Sequence, residues 1–129
     1  MKLKWKLDRE EPLDSIDILG DLIILGDNGT QISIGVTYLD SWFSLLKEGL
    51  VSLSNGRPIE IEAPEEPMTI SFSLRGEGGA ISCNGLIVTF PSIQLALDNL
   101  RVEMNALLSE YNGIEGYNEN EFFDEIKMS

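Results

Sequence analysis

Gln31-Ile32-Ser33-Ile34-Gly35-Val36-Thr37-Tyr38-Leu39-Asp40-Ser41-Trp42-Phe43-Ser44-Leu45-Leu46 changes its period part-way through. Ile32, Ile34 and Val36 alternate with polar or small neighbours, which is the core-facing side of a strand. From Leu39 the apolar residues Leu39, Trp42, Phe43, Leu46, Leu50 and Leu53 recur at spacings of three and four, which is one face of a helix. The pattern predicts a helix of about 16 residues, about 24 Å long. Thr37 stands three residues before Asp40, a capping-box-like pair for the helix start, and Asn55-Gly56 suits its end. Trp42 and Phe43 fall on the stripe and are expected in the core.

Working outward toward the amino terminus, Asp27-Asn28-Gly29 separates two apolar runs. An Asn-Gly pair there predicts a hairpin whose two central residues take positive φ. The run before it, Ile16 to Leu25, is apolar with Gly20 in its middle, a candidate bulge. Residues 8–15 are acidic, hold Pro12 and read as a loop. Lys2-Leu3-Lys4-Trp5-Lys6-Leu7 alternates strictly, placing three lysines on one face of a terminal strand and Leu3, Trp5 and Leu7 on the other. Lysines on a terminal strand also discourage edge-to-edge pairing. Trp5 is a weaker core candidate than Trp42, because terminal strands are often edges.

Toward the carboxyl terminus, Ile59, Ile61 and Ala63 alternate with Glu60 and Glu62, and Met68, Ile70, Phe72 and Leu74 alternate with Thr69, Ser71, Ser73 and Arg75. Pro64-Glu65-Glu66-Pro67 and Gly76-Glu77-Gly78-Gly79 read as turns between strands. Ala80 to Cys83 and Leu86 to Phe90 flank Asn84-Gly85, a second short hairpin, so this block reads as a four-stranded meander. Pro91 suits the first turn of a helix, and Ile93, Leu97, Leu100, Met104, Leu107, Leu108 and Tyr111 form its apolar stripe, closed by Asn112-Gly113. The acidic tail at 113–129 either docks as a short helix through Phe122, Phe123, Ile126 and Met128 or stays mobile. The fold expected is α+β, a single domain over 1–129. It is a bent antiparallel sheet of roughly six to eight strands with two amphipathic helices packed on one face, each covering sheet with a single apolar stripe.

A length of 129 residues is enough for one domain with a real core. Twenty-two acids face nine bases, for a net charge of −13. That surplus repels phosphate backbones, so no nucleic acid is expected as partner, and a protein with a basic surface is the natural counterpart. Histidine is absent and Cys83 is the single cysteine. This removes the commonest metal ligand, the usual general base at neutral pH, the internal disulfide and the thiolate zinc site. No metal, cofactor or enzyme activity is expected, and Cys83 reads as a small buried hydrophobe. No apolar run reaches the roughly 18 residues of a membrane span. The basic start is followed by Asp8-Arg9-Glu10-Glu11 rather than an apolar stretch, so no signal peptide is expected and a cytoplasmic, bacterial protein is the simplest reading.

Other chemistry fits poorly. Asp27-Asn28-Gly29-Thr30-Gln31 opens like a calcium loop, but the twelfth position is Tyr38 where a bidentate Glu is needed. Arg75-Gly76-Glu77-Gly78-Gly79 links strand to strand and carries an acid, unlike a phosphate-cradling loop. Glu60 and Glu62 share a strand face about 6.6–6.8 Å apart, but that is the polar face, where a glycosidase pair would have no buried acid. What remains are the acidic clusters. The candidate partner-binding residues are Asp8, Glu10, Glu11, Asp14 and Asp17 in the acidic stretch over 8–27, with Glu60, Glu62, Glu65 and Glu66 on the later strand and loop. Further acids crowd Glu110 to Glu125.

The stretch from Val36 to Leu50, with its aromatic-Leu-Asp-Ser-Trp helix start after a hairpin, resembles small acidic bacterial proteins of the toxin-immunity type. The resemblance covers that stretch and the general layout, and no family functional residue transfers with it. It implies an inhibitor that binds one cognate toxin domain, often a basic nuclease, and blocks its active site or an exosite. Two other classes fit the same composition: a dimeric acidic secretion chaperone that binds an extended effector segment, and a small enzyme or ligand-binding domain with a deep pocket.

Overall fold

The computed structural model describes residues 1–7, 19–63 and 68–111. The expected loop at 8–15, the start of the second apolar run at Ile16 to Ile18, Pro64-Glu65-Glu66-Pro67 and the tail from Asn112 lie outside the described residues. So do the side chains of Val36, Leu108 and Tyr111.

The elements run β1 (Lys2–Leu7), β2 (Leu19–Leu25), β3 (Gln31–Tyr38), α1 (Leu39–Ser54), β4 (Ile59–Glu62), β5 (Thr69–Arg75), β6 (Gly78–Cys83), β7 (Leu86–Phe90) and α2 (Ile93–Tyr111). The order of three strands, helix, four strands, helix is the one the sequence predicts. The single bent sheet is not. The strands form two antiparallel sheets, ordered β1-β2-β3 and β4-β5-β6-β7. Alternation fixes which side of a strand faces the core but says nothing about which edges pair.

β3 lies beside β7, and the turn between β2 and β3 stitches the two sheets together. Gly26 N–H donates to the Thr30 carbonyl (2.9 Å) to close the turn, and Asp27 N–H donates to the Thr89 carbonyl of β7 (2.8 Å). Asn28 Nδ2 donates to the Ile87 carbonyl (3.0 Å), and its Oδ1 accepts from Thr89 N–H (3.4 Å). These bonds change the turn type. Asn28 does not take positive φ, whereas Gly29 does, at 84°. Together with the bond from Gly29 N–H to the Gly26 carbonyl, this is a tight turn followed by one left-handed residue rather than the predicted pair. At the second hairpin the prediction holds: Asn84 and Gly85 both take positive φ, 51° and 79°. The register of β2 with β3 shifts between Gly20 and Leu22, where two steps along β2 match three along β3, from Thr37 to Ile34; the extra residue therefore lies on β3, not at Gly20 where the sequence suggests a bulge. β6 starts at Gly78, two residues earlier than expected, because both glycines join the ladder opposite Arg75 and Leu74.

α1 follows β3 with no loop between them. Thr37 is therefore a strand residue, paired with Gly20, and the N-cap position falls on Tyr38 with no side-chain cap bond. The capping-box reading is corrected accordingly; Asp40 stays in the first turn, where a carboxylate suits the positive end of the helix dipole. At the other end Gly56 N–H donates to the Leu53 carbonyl (2.9 Å) and Arg57 N–H to the Ser52 carbonyl (3.0 Å), with Gly56 at φ 76°. This is the Schellman arrangement that Asn55-Gly56 predicts.

Leu39, Trp42, Phe43, Leu45, Leu46, Gly49, Leu50 and Leu53 are buried. At about 100° per residue they span an arc of about 160°, wide enough to face two layers. α1 accordingly packs on both sheets and on α2, and α2 packs on α1 and β1. The expectation of one stripe covering sheet per helix holds better for α1's sheet side than for α2, whose Ala96, Leu100, Met104 and Leu107 are buried. All of these side chains belong to one contiguous core. Cys83 is buried in it, with its thiol 3.3 Å from the Met68 thioether.

α2 begins at Ile93, two residues later than Pro91 suggests. Ser92 is its cap: the Ser92 Oγ accepts from Leu95 N–H (3.2 Å). Ser92→Ala is expected to lower stability by about 1 kcal/mol, the usual worth of an N-cap hydroxyl. Guanidinium titration checks it, and an unchanged midpoint would remove the cap.

Candidate partner-binding surface

β4 is a terminal strand of its sheet, and its burial alternates: Ile59 and Ile61 half-buried toward the core, Glu60 and Glu62 exposed. Pairing with β5 places Glu60 opposite Ser71 and Glu62 opposite Thr69. Hydroxyl side chains rather than bases therefore stand opposite both carboxylates. The two predicted site residues on described backbone are thus brought together on one outward strand face. Asp8, Glu10, Glu11, Asp14, Asp17, Glu65 and Glu66 lie outside the described residues.

The charge is distributed in a way that composition alone does not reveal. Ten acids and seven bases fall on the described residues, and twelve acids and two bases fall outside them. Most of the surplus therefore belongs to the segments that connect or follow the elements. Within the described residues several acids already have partners. Asp27 Oδ1 accepts from the Met1 ammonium (2.9 Å), Asp98 Oδ1 from the Gln94 side-chain amide Nε2 (3.0 Å), and Glu103 Oε2 from the Trp5 indole Nε1–H (2.8 Å).

That last bond is one that sequence reasoning missed. It ties β1 to α2 across the chain and explains why Trp5, half-buried on a terminal strand, is held in place. The signal was available in principle: a Trp buried in part usually finds a partner for its N–H, though sequence alone does not say which. The opposite edge is the one that the lysine alternation predicts. β1 is the terminal strand of the three-stranded sheet, and Lys2, Lys4 and Lys6 are exposed on it, with Lys6 opposite Asp21. Leu95 and Val102, exposed at 60% and 63%, lie seven residues apart on the side of α2 away from the core. Their omission from the predicted stripe was the sign.

Among the described residues no group of three or more His, Cys, Asp or Glu is placed to hold a metal ion. No described helix is long and apolar enough to cross a membrane. No family model matches the chain, and neither does a curated protein or a solved structure.

Proposed function

We propose that this chain is a non-enzymatic protein-binding inhibitor of the immunity type, which neutralises a basic toxin domain by covering it with an acidic surface. The observation that carries the reading is the charge distribution: a net −13, with twelve acids against two bases outside the described residues and exposed Glu60 and Glu62 on a terminal strand. Opposed charges of this kind speed encounter and reject wrong partners. Affinity itself would come from a few well-packed contacts rather than from the total charge.

The test is capture from source cells at low and high salt, identification by mass spectrometry, and rate measurements with the purified partner. The partner is expected to be basic, with an association rate that falls steeply as salt rises. Reversing Glu60 and Glu62 to Lys together is expected to slow association about tenfold at low salt while changing dissociation less. A neutral or acidic partner, or a rate indifferent to both salt and reversal, would overturn the reading.

A further inference from the structure

The two terminal strands carry complementary patterns. On β1, Lys2, Lys4 and Lys6 are exposed, Leu3 and Leu7 are buried and Trp5 is half-buried. On β4, Glu60 and Glu62 are exposed and Ile59 and Ile61 are half-buried. Each strand has its charged side outward and its apolar side on the same core, and among the described residues each ends its sheet. We propose that these edges bind each other between copies: β1 of one molecule adds antiparallel to β4 of the next, and the occupant of each edge is a second copy of this chain.

The register follows from the period. With Glu60 opposite Lys4 and Glu62 opposite Lys2, Ile59 meets Trp5 and Ile61 meets Leu3. Directly opposed side chains share a face at about 4.5–5.5 Å between Cβ atoms. A slip of one residue in either direction would set two of the three lysines against Ile59 and Ile61, while a slip of two, onto Lys6 and Lys4, keeps the charge pairs.

Like edges are rejected. Two β1 strands would oppose lysine to lysine, and two β4 strands glutamate to glutamate. Lysines that protect an edge from its own kind thus select the unlike edge.

The copies repel as wholes, each carrying −13. At about 0.15 M salt the screening length is about 8 Å, so distant charges are damped while opposed pairs within the ladder are not. A four-residue β4 gives a short ladder, so the association is weak. It is also head-to-tail, which builds rings or open chains rather than a twofold dimer.

The test uses the purified chain alone, so its outcome is independent of any toxin-type partner. Sedimentation equilibrium at about 0.15 M salt, from about 10 µM to about 1 mM, covers the range in which weak contacts populate. The average mass is expected to rise with concentration. Lys2→Glu/Lys4→Glu/Lys6→Glu, and separately Glu60→Lys/Glu62→Lys, are each expected to weaken self-association about tenfold or more. An equimolar mixture of the two variants is expected to restore it, because each then offers the edge the other lacks. A wild-type chain that stays monomeric throughout, variants that associate as the wild type does, or a mixture that stays monomeric would each overturn the proposal. Should a variant lose its circular-dichroism signature, amide exchange in the wild type decides. Outward amides of β1 and β4 must slow with concentration while those of β6 do not; concentration-independent exchange overturns it.

Discussion

Phe72→Ala is expected to cost about 3–5 kcal/mol of folding stability, the range for truncating a fully buried aromatic. Phe72 sits on β5 between Ile59 and Ile81, buried, with its ring against α1. The contact on the helix is Gly49: a Cβ built there would overlap the Phe72 ring. Two effects then compete at Gly49→Ala. An alanine inside a helix gains up to about 1 kcal/mol over glycine, and displacing a packed ring costs about 1–3 kcal/mol. The clash wins, and Gly49→Ala is expected to destabilise by about 1–2 kcal/mol. In the Phe72→Ala background the ring is gone, and the same change is expected to stabilise by about 0.5–1 kcal/mol. Denaturant midpoints of the four proteins close the cycle. A Gly49→Ala variant that stabilises the wild-type chain would show that helix and ring do not touch so closely.

Gly78→Ala is expected to be at least as damaging, for a different reason. Its Cβ would meet the Phe90 carbonyl oxygen and then Pro91 Cα and carbonyl carbon, the last two at 2.8 and 2.6 Å. A ring can swing aside, but these atoms are backbone in the neighbouring strand and in the bend before α2. Relief requires β6 and β7 to part, with loss of the pairs that start at Gly79 and Phe90. A loss of about 3 kcal/mol is expected, or a fall in melting temperature of about 10 °C for a domain of this size. A thermal melt unchanged within error would show that β6 and β7 are not held at this spacing.

Local rules carried much of the fold. Asn84-Gly85 behaves as its dipeptide predicts, and among the described residues no side-chain hydrogen bond ties Asn84 to another element. Asn28-Gly29 has the same residues and a different turn, because the Asn28 side chain is taken up by Ile87 and Thr89 of another sheet. Thr37 was misread for a similar reason: a capping box presumes a loop before the helix, and here the strand runs straight in. The division into two sheets depends on edge pairing, which a period of two leaves open. Ser92 was overshadowed by Pro91, although both are common at helix starts. The candidate surface was legible only where alternation applies. Glu60 and Glu62 are exposed because Ile59 and Ile61 point inward. Of the other seven predicted residues all but Asp17 sit in segments without period, where composition counts charges but places none of them.

The bond between Trp5 and Glu103, with its neighbour from Asn99 Nδ2 to the Met1 carbonyl (2.8 Å), joins residues 98 apart in the chain. A ribosome adding about 5–20 residues per second needs about 5–20 s to make the second partner after the first. For that interval the nascent first strand has no helix to lie against. Hairpins downstream can zip as they emerge, but the seam between β1 and α2 closes only once α2 has been made. A chain stalled before α2 would therefore expose an unshielded tryptophan to chaperones and proteases.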